Sequence, residues 1–172
     1  ISDKSRLYSG RYRNGYMVHA RLAPGEENSG KLVNKVREHA KKFAIETCSK
    51  TIIIDGPPGT GCPVISSVTG VDKAILVTEP SKSGFNDLKR IYELTESFNV
   101  KTSVVINKYN LNPDITHRIE DWCNLFSIPV IGKILFDKQI VDAMLNCKSI
   151  IEWRPNSSVA MEIRNIWKII NT

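Results

Sequence analysis

The 172-residue sequence lacks the features that mark several large classes of protein. No apolar run approaches the roughly 18–20 residues that a membrane-spanning helix needs, and no signal-peptide pattern opens the chain. Internal repeats and low-complexity linkers are also missing. With 41% apolar and 24% charged residues, the composition is typical of one folded domain with a hydrophobic core. We therefore expect a globular protein that works in the cytoplasm.

Cysteine is scarce, and its spacing argues against two common kinds of cysteine site. The four cysteines are Cys48, Cys62, Cys123 and Cys147, and no two of them form a C-x-x-C pair. This spacing fits neither a disulfide framework nor a zinc site. All except Cys62 are interpreted as small core or surface residues within or beside helices.

Long runs of basic residues are absent too, although the net charge is +6. Lys and Arg are scattered over predicted helix surfaces and the first twenty residues, with no run of five or more. A basic balance can indicate nucleic acid or an anionic membrane as a partner. Scattered charges are more typical of solvated surfaces, so we expect neither nucleic acid nor a membrane as a partner.

What the sequence does contain is a regular alternation of strands and helices. Strands are predicted at 16–22, 51–55, 74–78, 103–107 and 129–134, and helices at 29–47, 86–98, 114–126, 138–145 and 157–170. This order predicts an α/β fold, a mostly parallel sheet with helices on both faces. The continuous apolar run at 51–55 is expected to be a strand buried on both faces. Residues 1–14 fit either a ragged end or an edge hairpin.

Polar residues stand where several predicted strands end. Asp55, Glu79 and Asn107 occupy such positions, and so does the stretch after Ile134. The carboxyl ends of parallel strands meet at one edge of a sheet, where ligands bind. We therefore expect these residues to converge on one rim.

The segment Asp55-Gly-Pro-Pro-Gly-Thr-Gly61 suits magnesium and phosphate chemistry. Its carboxylate can bind a metal-bound water, and its glycines let backbone N–H groups approach a phosphate. The alternative is a tight turn in which Asp55 caps the next helix.

This segment resembles the switch II segment of the MinD/ParA/Mrp (CobQ/CobB/MinD/ParA) P-loop ATPases, where a hydrophobic strand runs into Asp-x-Pro-x-Gly. The resemblance extends over about Tyr16 to Met144, and its longer strings are Gly25–Val33, Cys62–Val64, Leu76–Gly84, Asp87–Lys89 and Val105–Lys108. Together they look like the MinD-superfamily ATPases that carry an inserted ferredoxin domain. Similar proteins begin with a Walker A loop, Lys-Gly-Gly-x-Gly-Lys-Thr, and then the insert with its cluster cysteines.

Neither the Walker A loop nor the insert occurs in this sequence, so the resemblance implies the C-terminal part of such an ATPase. On this basis, residues 1–15 are a ragged N-terminal segment. Residues 16–172 are the C-terminal part of a MinD-like nucleotide-binding domain, a P-loop NTPase-like fold truncated at its N-terminus. The first residue is Ile1 rather than Met, which suggests that something upstream was removed.

The resemblance also implies a set of site residues. Asp55 would hold the Mg²⁺ hydration shell or orient the attacking water, and the backbone of Gly59 would sense the γ-phosphate. Asn107 would hydrogen-bond the adenine edge, with the stem of Lys108 packed near the base. The cofactors implied are ATP and Mg²⁺.

A loop that closes over adenine is implied for Gly132–Asp137. In the family this segment usually reads Gly-x-Ile-Pro-x-Asp. Asp137 stands at its last position and is therefore added to the predicted nucleotide-binding residues. Leu135 stands at the proline position, which puts the geometry of the loop in question.

Cys62 lies seven positions after Asp55. The related nitrogenase iron protein places a cluster cysteine at the same separation, and its two subunits share one 4Fe-4S cluster. This analogy makes Cys62 an iron–sulfur candidate at a dimer interface, although Gly25–Gly30 contains no partner cysteine. The alternative is a small packing residue before a helix that starts at Pro63. Otherwise the 4Fe-4S clusters would belong to the insert and not to this chain.

The sequence from Gly25 to Leu32 matches the P-loop pattern Gly-x-x-x-x-Gly-Lys-Ser/Thr at every position except the last. A P-loop needs Ser or Thr after its Lys to bind Mg²⁺, and Leu32 cannot do so. Glu26 and Glu27 would also point carboxylates at a phosphate site. We interpret the string as the start of a helix.

The function that we expect is an ATP-driven conformational switch, coupled to iron–sulfur or electron-transfer chemistry in the full protein. We expect a homodimer with an iron–sulfur or redox protein as partner. The chain alone should bind nucleotide weakly and not hydrolyse it, because the Walker A groups supply the main charge stabilisation.

Two alternatives stay open at this point. One is a partition or positioning ATPase that acts on DNA or a membrane, as the net charge and the apolar face of the last helix would allow. The other is an ATP-dependent amide-forming synthetase of the cobyrinic acid or dethiobiotin type. For the last helix itself, packing on the sheet is favoured over membrane binding.

Overall fold

The computed structural model describes residues 6–13, 15–23 and 29–171. These residues cluster in two compact units, one ending at Val71 and one beginning at Asp72. The first unit contains β1 (Arg6–Tyr12), β2 (Gly15–Arg21), α1 (Ser29–Glu46) and α2 (Cys62–Val68). The second contains β3 (Lys73–Thr78), α3 (Lys82–Ser97), β4 (Lys101–Asn107), a 3-10 helix (Tyr109–Leu111), α4 (Pro113–Leu125), β5 (Val130–Ile134), α5 (Lys138–Leu145), α6 (Ile150–Trp153) and α7 (Ser158–Ile170). Within the described ranges, no helix is long and apolar enough to cross a membrane.

The two strands of the first unit form an antiparallel hairpin. Pairing runs from Arg6 opposite Arg21 to Tyr12 opposite Gly15, and Arg13 in the turn has φ 51°. A positive φ is what the tight hairpin turns require. Residues 6–12 thus form one strand of a hairpin, the alternative to a ragged end that the sequence left open.

Helix α1 joins this hairpin to α2. The rings of Tyr16 and Phe43 lie 5.0 Å apart, and Arg37 donates hydrogen bonds to the carbonyls of Ser66 and Thr69 near the end of α2. The predicted helix start is confirmed, since α1 begins at Ser29. Residues 25–28 of the P-loop-like string lie outside the described residues.

The prediction of a buried strand at 51–55 is wrong. Neither sheet of the described residues includes this run, and the side chains of Ile52 and Ile53 are 41% and 75% exposed. A strand needs hydrogen-bonding neighbours along its edges, and no described strand pairs with this segment. The apolar sequence therefore predicted burial that the unit does not provide.

The second unit is built on a parallel sheet with strand order β3-β4-β5. Val104 and Ile106 face α3 and α4 in a core that comprises Leu76, Phe85, Leu88, Val104, Ile106, Ile119, Cys123 and Ile128. Val105 lies on the opposite face of β4, because side chains alternate along a strand. Its exposed fraction is only 3%, so β4 is covered on both faces. This arrangement confirms the α/β class and three of the predicted strands.

Helices in this unit begin where polar side chains cap them. Helix α3 starts at Lys82 rather than at the predicted Asn86, because the Ser81 side chain accepts from the Gly84 N–H at 2.9 Å. Helix α6 was not predicted, and it begins with a capping box between Ser149 and Glu152. A capping side chain gives a hydrogen-bond partner to a backbone N–H that has none within the helix. A helix can therefore begin earlier than the spacing of its apolar residues predicts.

Helix α7 packs against β5, as predicted for the last helix. Val159, Ala160 and Ile166 are buried, and Ile166 lies so near Gly132 that a Cβ there would collide with it. Trp167 of the same helix is 44% exposed.

Candidate functional site

The carboxyl ends of the three parallel strands bring polar residues together. Thr78 pairs with Ile106, and Asn107 pairs with Ile134. Glu79, Asn107 and the segment after Ile134 therefore follow one another along a single edge of the sheet, which we call the rim. This part of the predicted convergence is confirmed.

An ion pair links the first two strands at the rim. The Lys108 Nζ lies 2.6 Å from Glu79 Oε1, with the two side chains 36% and 50% exposed. Lys108 has φ 55° and ψ 36°, a left-handed conformation that turns the chain sharply after β4. Asn107 beside it is half-buried. Sequence reasoning did not predict this pair, although opposite charges after adjacent strands were the available signal.

The turn that carries Glu79 requires a glycine close by. A Cβ at Gly84 would lie 2.6 Å from the Glu79 carbonyl oxygen, which is closer than van der Waals contact allows. The Thr78 hydroxyl donates to the Gly84 carbonyl at 3.0 Å, and Thr78 is only 6% exposed. These contacts hold the end of β3 tightly against the start of α3.

The loop after β5 is held by a hydrogen bond to Asn110, which follows the neighbouring strand β4. The Phe136 N–H donates to the Asn110 side-chain oxygen at 2.7 Å. Asp137 caps α5, accepting from the Gln139 N–H at 2.8 Å. Leu135 at the family's proline position is thus compatible with an ordered loop. The predicted contact of Asp137 with a nucleotide stays a prediction.

A shallow groove of about 370 Å³ lies beside β5. Its polar groups satisfy one another, since the Lys133 Nζ is 2.8 Å from Glu120 Oε1 and the Lys133 N–H donates to Glu162 Oε1 at 3.3 Å. The Lys133 ammonium also lies 5.5 Å from the centre of the Tyr109 ring. These pairings make the groove part of the scaffold below the rim.

The switch-II-like segment belongs to the first unit. Asp55 is exposed, and Gly59 has φ 91°, a conformation that favours glycine. Helix α2 follows, with Gly61 as its N-cap and Pro63 in its first turn. The alternative in which Asp55 caps this helix is therefore wrong. Asn107 lies in the second unit, and the convergence of Asp55 with it stays a prediction.

Cys62 is the first residue of α2 and is exposed. Gly30 of α1 approaches it closely, because a Cβ at Gly30 would lie 3.3 Å from the Cys62 Cβ. Within the described part of the chain, no group of three or more His, Cys, Asp or Glu residues could hold a metal ion. A 4Fe-4S cluster takes four protein ligands. Cys62 could supply one of them, and the others would have to come from outside the described residues of one chain.

Cys123 has the structural role predicted for it. It is fully buried in the core of the second unit. Burial raises the pKa of its thiol to about 11, and the nearby Glu120 carboxylate adds to the rise. A thiol with this pKa stays protonated near neutral pH and is unreactive.

Comparison with known proteins gives one family match. Residues 35–171 match the model of the ParA family, described as "NUBPL iron-transfer P-loop NTPase". An uncharacterized protein of Methanocaldococcus jannaschii is 35% identical over 88% of this chain and 49% of its own length. An iron-sulfur cluster carrier protein of Aquifex aeolicus is 23% identical over 70% of this chain and 36% of its own length.

Among solved structures, the septum site-determining protein MinD of Pyrococcus horikoshii, complexed with Mg-ADP, has a similar fold. The TM-score is 0.69, with 18% identity over 96% of this chain and 67% of that one. At this identity the likeness concerns the fold. The chain spans about half the length of the curated relatives it matches first.

Proposed function

Since the chain belongs to the ParA family of P-loop NTPases, we propose that it is the base-recognition and switch part of an ATP-driven conformational switch. The observation that carries the proposal is the rim, where Asn107 stands beside the Glu79–Lys108 pair and the loop that ends at Asp137. Ligand sites at the carboxyl ends of parallel strands are the general rule for such sheets.

Adenine recognition is the role that we assign to the rim. The half-buried Asn107 carries a donor and an acceptor, which are the groups that an adenine edge requires. The ion pair to Glu79 holds Lys108 at the exit of β4, so that its aliphatic stem can lie against a base. The loop held by Asn110 would close the site from the other side.

Phosphate sensing is the role that we assign to the segment from Asp55 to Gly61. Asp55 would hold the hydration shell of Mg²⁺, which suits one exposed carboxylate better than a closed cage of protein ligands. Gly59 would present its backbone to the γ-phosphate. When bound, MgATP would supply the group whose hydrolysis drives the switch.

The P-loop that grips the phosphates is not in this sequence. We therefore propose that ATP hydrolysis belongs to the full protein. The family's iron-transfer description and the relative named as an iron-sulfur cluster carrier support coupling to iron–sulfur or electron-transfer chemistry. A dimer that brings Cys62 of each copy to the interface is part of the same proposal.

The base-recognition role is tested by titrating the chain with MgATP and with MgGTP while following backbone amide resonances. We expect binding in the millimolar range, because the phosphate-binding amides are missing, with shifts at Glu79, Asn107 and Phe136 that are larger for ATP. Asn107→Ala should abolish the preference for ATP. Asn165→Ala, an exposed asparagine of α7, is the matched control.

Two results would contradict the proposal. Micromolar binding of MgATP to the chain alone would show that the P-loop is not needed. An unchanged preference for ATP in Asn107→Ala would remove the adenine role from the rim.

A further inference from the structure

The hairpin of the first unit has one face that is exposed along its whole length. Cross-strand partners in an antiparallel pair share a face, and every second residue along a strand returns to it. One face, which we call the ribbon face, therefore comprises Arg6, Tyr8, Tyr12, Met17, His19 and Arg21. Every one of these residues is exposed.

The opposite face of the hairpin turns toward its own unit. Leu7, Val18 and Ala20 lie on that face and are partly buried. Tyr16, on the same side, packs its ring against Phe43 of α1 at 5.0 Å. Because α1 covers this side, the ribbon face is the side that is open to a partner.

Positive charge is concentrated on this hairpin. Residues 6–21 contain four arginines and neither Asp nor Glu. Residues 1–71 carry 11 Lys and Arg against 6 Asp and Glu, a net charge of +5, whereas residues 72–172 carry 13 against 12. The basic character of the chain, with its pI of about 9.2, therefore comes from the first unit, and the hairpin holds most of it.

Aromatic rings and arginines share the ribbon face, with Arg6 opposite Arg21 at the end away from the turn and Tyr8 opposite His19 next along it. The rings of Tyr8 and His19 are stacked, with centroids 5.0 Å apart and planes 16° from parallel. The Arg13 guanidinium lies 5.2 Å from the centre of the Tyr12 ring. Tyr8 and Tyr12 are 41% and 56% exposed, so their rings are available to a planar ligand.

We propose that the ribbon face binds single-stranded nucleic acid, a partner that the scattered positions of Lys and Arg in the sequence argued against. Unpaired bases stack on exposed aromatic rings, and arginine guanidinium groups bind phosphates in a bidentate manner. The stacked Tyr8–His19 pair and the neighbouring Arg6 and Arg21 supply these two kinds of contact on one face. Met17 is the one apolar side chain without an aromatic ring among the residues of the ribbon face. The face would therefore be a poor membrane anchor. The proposal does not depend on nucleotide binding at the rim.

The test is fluorescence anisotropy of the 172-residue chain with a labelled oligothymidylate of about 20 nucleotides. We expect affinity that falls steeply as salt rises. The double variant Arg6→Gln with Arg21→Gln removes both arginines of the ribbon face. It should reduce the slope of log K against log salt by about 1.4, because each phosphate contact on a single strand contributes about 0.7. The lysine versions of both substitutions should keep the slope.

The stacking contribution is tested separately with Tyr8→Ala and His19→Ala combined. We expect about tenfold weaker binding with an unchanged salt slope, because neutral rings contribute stacking and no phosphate contact. Lys35→Gln with Lys42→Gln removes two exposed charges from α1 of the same unit and is the matched control. Far-ultraviolet circular dichroism checks that each variant is folded.

Three outcomes would overturn the proposal. If the α1 control lowered the salt slope of binding as much as the Arg6 and Arg21 variant does, only the total charge of the chain would matter. Equal displacement of the oligonucleotide by poly-glutamate would indicate an acidic protein as the partner. Tighter binding of a duplex than of the single strand would exclude the stacking mode.

Discussion

The unit that ends at Val71 and the unit that begins at Asp72 differ in how much apolar surface they bury. In the second unit, a parallel sheet and two helices enclose a cluster of eight buried residues. Among the described residues of the first unit, the buried apolar side chains are Ala23, Leu32 and Val64. Ile45 and Ile53 in the same unit are 78% and 75% exposed.

The difference teaches that an apolar sequence creates a core only where layers of secondary structure meet. A sheet covered on both faces buries consecutive side chains of its central strand, here Val104 to Ile106, whereas a hairpin with two helices buries one face. The first unit compensates with polar contacts, such as those of Arg37, and carries nearly all of the net charge. We expect the second unit to be the more stable one.

The largest expected effect comes from the core of the second unit. Ile119→Ala, at a side chain with no exposed surface, should cost about 3–4 kcal/mol. The measurement is urea unfolding followed by tryptophan fluorescence, because all three tryptophans lie in the second unit. Leu32→Ala in the first unit should leave that transition in place. Equal shifts in the two variants would mean that the units unfold together.

A pH titration of stability sharpens the same contrast. Because the folded pKa of Cys123 is raised to about 11 from the usual 9.0, its contribution to stability is fully present below pH 9. It is lost as the pH rises from 9 to 11, a change of roughly 2–3 kcal/mol. Cys123→Ala should flatten the fall in the free energy of unfolding over this range. Cys48→Ala, at an exposed thiol of the first unit, should not.

A smaller effect is expected from the contact between the two helices of the first unit. Arg37 donates to two carbonyls near the end of α2, and Arg37→Met removes both bonds while keeping the apolar stem. We expect a loss of about 1–2 kcal/mol, seen as faster hydrogen exchange in α2. Lys35→Met is the control. Faster exchange in β4 as well would argue against independent units.

The smallest effect on stability is expected at the rim. Glu79→Gln breaks the ion pair to Lys108, but partly exposed pairs contribute less than about 1 kcal/mol. The unfolding midpoint should hardly move, while the amide resonances of Lys108 and Asn107 should shift. Asp87→Asn, at another exposed ion pair, should leave those resonances unchanged. A large loss of stability would mean that the pair supports the sheet itself.

Much of the second unit could be predicted because its local and tertiary signals agree. The apolar runs before Glu79, Asn107 and Leu135 became parallel strands, and their polar ends met at one rim. The Glu79–Lys108 pair was missed because it depends on a left-handed turn at Lys108, a conformation that a lysine rarely adopts. The roles assigned to the site residues stay predictions, at Asp55, Gly59 and Cys62 as well as at Asn107, Lys108 and Asp137.

The first unit was harder to predict. The run at 51–55 has the pattern of a buried strand, yet burial depends on neighbours that a local pattern does not contain. The arginines of the hairpin look scattered along the chain, and only antiparallel pairing places Arg6 opposite Arg21.

The sequence by itself determined the class of the fold, the positions of most helices and strands, and the family. These properties follow from periodicity, capping residues and short motifs, which are local. Tertiary structure alone decided which apolar run is covered, which charges share a face and which polar ends meet. Burial and electrostatic contact depend on distances between residues far apart in the chain, and folding sets those distances.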